Sequence, residues 1–194
     1  MINDLPEQQA FLVFNHHVGG VFVLIMGVIS LLEVLNRARF RRIGFLWPAL
    51  LLILGGYMVL LSDPAAWPVG PLGLTESLAD PTVLQHKTFA IILVALGLID
   101  LLHRLGRLTA PGWQAAFYAV ALLPGVMLLA HTAASSGQHH AQSVLFSHPL
   151  MGTLALATLT VKILVDAKVI TGTKAVVYPV FILMLGLQLF LYQE

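Results

Sequence analysis

The run Phe11-Leu-Val-Phe-Asn-His16-His17-Val-Gly19-Gly20-Val-Phe-Val-Leu-Ile-Met-Gly-Val-Ile-Ser-Leu-Leu-Glu33-Val-Leu35 decides the class of this protein. It is 25 residues long with one charged side chain, Glu33, close to its end. A hydrocarbon core about 30 Å thick takes ~20 helical residues to cross, so the run is long enough to span it. The residues before it, Met1-Ile-Asn-Asp4-Leu-Pro-Glu7, carry no basic group. A secretory signal needs a positive leading region. The run is therefore expected to stay in place as a permanent span.

Five more apolar segments follow: Ile43–Leu61, His86–Leu102, Pro111–His131, His148–Val169 and Ala175–Tyr192. The whole chain is 58% hydrophobic and 10% charged, with a mean hydropathy of +0.89. A soluble domain would carry roughly 25% charged residues. Backbone polar groups in lipid must be satisfied within their own segment, which makes these segments helices. The expectation is an all-α, polytopic membrane bundle of six transmembrane helices, one domain over residues 1–194. Gly55-Gly56, Pro48, Pro124 and Pro179 fall inside spans, where kinks and close contacts are tolerated.

Charge orients the bundle. Arg37, Arg39, Arg41 and Arg42 follow the first span, Arg104 and Arg107 the third, and Lys168 and Lys174 the fifth. The opposite connections hold one cation, Lys87, with Asp63, Glu76 and Asp80. By the positive-inside rule the basic loops are cytoplasmic and both termini extracytoplasmic. The net charge of +1 leaves no footprint for nucleic acid. The absence of cysteine excludes disulfides, thiolate metal sites and iron–sulfur clusters. No phosphate loop, G-x-S-x-G or H-E-x-x-H string points to a soluble-enzyme chemistry.

The longest connection, Ser62 to Gln85, contains four prolines and two glycines. It is expected to form an ordered, turn-rich cap with a short helix near Leu74–Leu78, and Trp67 suits the membrane interface. Its carboxylates read most simply as solvated loop charges. The second outer connection, Thr132–Ser147, is polar and includes His139 and His140.

With this topology seven of the eight histidines share the outer side: His16, His17, His86, His131, His139, His140 and His148, with His103 inside. Neutral imidazole ligates copper, zinc, iron and nickel. Four helix-end histidines from four spans, His17, His86, His131 and His148, are placed to converge in a bundle. His16 and His17 point about 100° apart, and His17 is preferred because Gly19 and Gly20 beside it permit close helix approach. Met127 lies four residues before His131, and Met151 three after His148, so each thioether shares a helix face with an imidazole. That mixture favours copper, with His139 and His140 as mobile capture ligands. Because imidazole binds metal when neutral, affinity is expected to fall below about pH 6.5. Nearer the inner ends, Lys162 and Asp166 are spaced to pair along one face.

Several of these strings occur together in a known family. Ser62-Asp63-Pro64-Ala-Ala-Trp67-Pro68-Val-Gly70-Pro, Asp80-Pro81, Gln85-His86-Lys87, His16-His17-Val-Gly19-Gly20 and Ser147-His148-Pro149-Leu-Met-Gly152 resemble the CopD-like copper-resistance membrane proteins. The likeness is spread over most of the chain in short motifs, on six predicted spans where the better-known members have more. It implies a multi-pass protein of the bacterial inner membrane that handles copper at the periplasmic face. His17, His86, His131 and His148 would be its metal ligands.

Copper binding for uptake, storage or delivery is thus the leading functional expectation. One alternative is a b-type cytochrome with a single outer haem held by two histidines. With only His103 near the inner face, a two-haem relay with bis-histidine ligation is excluded. A further alternative is an accessory subunit, in a homo-oligomer or a larger membrane complex, packed through Gly- and Ala-rich spans.

Overall fold

The computed structural model describes residues 5–36, 39, 42–134 and 141–193, with side chains for 10–36, 39, 42–130 and 146–193. Among these residues it is all-helical, and six helices are long and apolar enough to cross a membrane. The chain is a multi-pass membrane protein. The α-helices are α1 (Leu5–Leu35), α2 (Leu46–Leu61), α3 (Leu74–Ala79), α4 (Pro81–Arg104), α5 (Pro111–Ala134), α6 (Ala141–Asp166) and α7 (Val177–Phe190). Short 3-10 turns, Ile43–Phe45 and Gly172–Val176, lead into α2 and α7.

The chain packs as two compact units, residues 45–120 and residues 1–44 with 121–194. In the second of these, α1 lies along α7, and α6 also packs on α7. Met26 and Ile29 of α1 and Ile182 of α7 are buried there. The helices come close because Gly20 has no side chain. A Cβ on it would lie 2.5 Å from the backbone nitrogen of Phe190. In the unit of residues 45–120, α2 packs along α4, and the six-residue α3 sits on α4. Ile53 and Ile91 stay exposed on those helices, as side chains that meet lipid must.

Three helices start ahead of their apolar runs, the first of them α1, at Leu5 instead of Phe11. The apolar pattern opens the third span at His86, whereas α4 begins at Pro81. The Asp80 carboxylate accepts from the backbone N–H groups of Thr82 (2.8 Å) and Val83 (3.2 Å), and Pro81 takes the first helical position. His86 therefore lies in the second turn. Likewise α6 begins at Ala141, seven residues before His148, and ends at Asp166 instead of Val169. The Thr132–Ser147 connection, a loop by its polar composition, is helical through Ala134 and again from Ala141. Polar helix-forming turns extend both helices beyond their apolar stretches.

Candidate functional site

Two groups of polar and aromatic side chains stand out, one in each unit. In the unit of residues 45–120, α2 ends at Leu61 and the chain turns at once into Ser62 and Asp63, both buried. Asp63 Oδ1 accepts from His86 Nδ1 at 2.8 Å. Its Oδ2 accepts from the Ser62 hydroxyl and lies 3.8 Å from Lys87 Nζ. Lys87, 8% exposed, also donates to the Val59 carbonyl at 2.8 Å and to Ser62 Oγ at 3.4 Å. Burial pushes the Asp63 carboxyl upward. The His86 hydrogen bond and charge, the Ser62 hydroxyl and Lys87 outweigh it and hold the group below the usual carboxylate range.

A carboxylate only accepts, so His86 must donate from Nδ1, and the lone pair of the neutral ring falls on Nε2. This is the arrangement in which metal-ligating histidines are normally oriented by a carboxylate behind them. Asp63 is thus a buried partner where the sequence suggests a solvated loop charge, and Lys87 is a buried cation. The signal available in the sequence is the acid placed directly after an apolar run, with a His-Lys pair beginning the next.

The cap above this network is ordered. Ser77 on α3 is buried and its hydroxyl accepts from the Trp67 N–H at 2.8 Å. The Trp67–Pro68 peptide is cis. Gly70 closes the turn against Ala65, where a Cβ would fall 2.1 Å from the Ala65 carbonyl carbon. The expected short helix near Leu74–Leu78 is α3.

In the other unit, the rings of His16 on α1 and His148 on α6 meet edge to face, with centroids 6.2 Å apart. Tyr192, just beyond α7, stacks on His16 at 4.0 Å and meets His148 edge-on at 6.1 Å. His16 Nδ1 donates to the Leu12 carbonyl at 2.8 Å, which puts the lone pair of its neutral ring on Nε2. His17, preferred from the sequence as the ligand facing the bundle, turns instead to the end of the chain. Its Nε2 donates to the Tyr192 carbonyl at 3.0 Å, and its ring lies 5.7 Å from that of Phe190. The structure therefore pairs His148 with His16. Beside them Gln188 Nε2 donates to the Ser147 carbonyl at 3.0 Å. Its buried Oε1 has no hydrogen-bond partner among the described residues.

The remaining sequence candidates divide as follows. His86 belongs to the unit of residues 45–120, and His16, His17, His131 and His148 to the other. Met151, 2% exposed, is in the core of α6, and Met127 is half-buried on α5. His131 lies in α5, but its side chain is outside the described residues; His139 and His140 lie outside them altogether. Among the described residues, no three His, Asp or Glu side chains are grouped closely enough to hold a metal ion. The rings of His16 and His148 thus meet as a pair, whereas the two histidines of the other unit, His86 and His103, lie near opposite ends of α4. At the opposite end, Lys162 and Asp166 pair as their spacing suggests, and Lys162 Nζ lies 5.6 Å from the Tyr178 ring centroid. Arg104 pairs with Asp100 at 2.8 Å.

Compared with protein-family models, curated proteins and solved structures, the chain matches none.

Proposed function

We propose that this chain binds copper at the extracytoplasmic face of the membrane, with His16 and His148 as its imidazole donors. The observation that carries the reading is the meeting of two imidazoles, 132 positions apart in the chain (148 minus 16), with centroids separated by 6.2 Å. Two helices that bring a pair of imidazoles together form a set suited to copper when the rings are neutral, and Cu(I) accepts so low a coordination number. The buried Gln188 Oε1 adds an acceptor without a partner among the described residues at the same end of α7. His131, Met127 and Met151 are the further donors that the sequence offers on α5 and α6. His86, oriented by Asp63, presents a ligating nitrogen of its own. The outer location rests on the loop cations, eight against Lys87. The bacterial inner membrane and the CopD-like group follow from the motif resemblance and belong to the same proposal.

The test is elemental analysis of purified protein together with copper titration under reducing conditions. Stoichiometric copper is expected in the wild type and its loss in His148→Ala and His16→Phe, the latter keeping a ring to stack on Tyr192. Copper-free protein whose variants titrate like wild type would falsify the reading. A pair of helix-borne imidazoles also suits axial haem ligation, the second reading. An intense Soret band in the purified protein would select haem, and a colourless reduced preparation copper.

A further inference from the structure

We infer that the cap between α2 and α4 rests in the lipid interface as part of the membrane-contacting surface. In the connection joining these two spans, the sequence suits Trp67 alone to the interface. The structure leaves four apolar neighbours exposed with it, Val69, Leu72, Leu74 and Leu78, Val69 at 60% and Leu74 at 48%. Leu74 and Leu78 are four apart on α3 and so share one face. The stripe is continuous in sequence with lipid-facing side chains on both sides: Leu60 and Leu61 close α2 and Leu84 lies in the first turn of α4, all exposed. An uncovered apolar series that starts and finishes on transmembrane surface is accounted for by the solvent that already bathes both ends.

The charges of the cap agree. Asp63 is held by His86, Ser62 and Lys87. The Gly73 N–H donates to Glu76 Oε2 at 3.1 Å, and the Asp80 carboxylate caps α4. The only Lys or Arg from Ser62 to Lys87 is Lys87 itself, which is buried. Each carboxylate is engaged with its own unit, and no exposed cation is available to bind headgroup phosphate. The contact is therefore apolar, with side chains reaching about 5–10 Å below the headgroup boundary, as interfacial helices do.

The experiment uses the full chain in vesicles of neutral phosphatidylcholine and, separately, with added anionic phosphatidylglycerol. Trp47→Phe with Trp113→Phe leaves Trp67 as the only tryptophan. Lipids brominated near the carboxyl end of the acyl chain should quench most of its emission, lipids brominated near the methyl end much less, and acrylamide little. The result should be the same in both lipid mixtures. Since the double variant can fail to fold, Val69→Cys carrying a nitroxide provides a second readout, clean because the chain has no cysteine. Oxygen should relax that label more than a water-soluble nickel complex does. Quenching by acrylamide, or a label relaxed mainly by nickel, would mean the cap projects into water and overturn the inference. Shielding from bromine, acrylamide, oxygen and nickel alike would mean that protein, such as a second copy, covers it, and would overturn it equally.

Discussion

Asp63 holds a negative charge where water is scarce, and its neighbours make that tolerable. Its folded-state titration lies below the ordinary carboxylate value, so its contribution to stability is present above about pH 3.9 and is lost as pH falls through the lowered folded value. Melting followed by circular dichroism should show no acid sensitivity from this group between about pH 5 and 8, and a drop below about pH 4 that Asp63→Asn abolishes. At neutral pH that substitution leaves Lys87 buried without its counter-ion, a loss of about 3–5 kcal/mol. Adding Lys87→Met should recover much of it, because no uncompensated charge is then left buried. If Asp63→Asn melts like wild type, the network contributes nothing to stability. The sequence announces the histidines but not which nitrogen each uses. His86 and Asp63 are 23 residues apart across a cap whose path no local pattern specifies. His16 and His17 differ by one helical step, and the approach of α7 at Gly20 makes the choice between them.

Helix contacts make the next set of predictions. At Gly20 a Cβ would strike the Phe190 backbone, so Gly20→Ala must separate α1 from α7 at a cost of about 1–3 kcal/mol. One position earlier, a methyl group added at Gly19 would meet nothing within 4 Å, and Gly19→Ala should be neutral or stabilise by about 0.5–1 kcal/mol. Chemical unfolding in detergent compares the two; equal losses would refute the close packing assigned to Gly20. Gly70→Ala should loosen the cap, because the Ala65 backbone carbonyl cannot move aside as a flexible side chain could. It would be read as faster proteolysis between Ser62 and Asp80. Apolar run length alone locates all six spans. It misses the first turns of α1, α4 and α6; Pro81–Gln85 is helical by its Asp80 cap, not by hydrophobicity.

The distribution of cations predicts how the whole molecule sits in its membrane. Thr75, on α3, and Thr109, after α4, are exposed at opposite ends of α4. In the cysteine-free background, Thr75→Cys should react with an impermeant maleimide on intact cells, and Thr109→Cys only after permeabilisation. The reverse pattern would invert the topology and remove the extracytoplasmic copper proposal with it. The charge pattern is legible because it is a property of loops counted along the chain. The division into two units is not, since it depends on α1 finding α7 at the far end of the sequence. That division has a consequence for biosynthesis. Residues 45–120 form an uninterrupted unit, complete once they have left the ribosome, whereas α1 must wait for the last helix before its partner exists. A nascent chain arrested after α5 should therefore already protect its middle from protease while its first helix remains accessible to insertion chaperones.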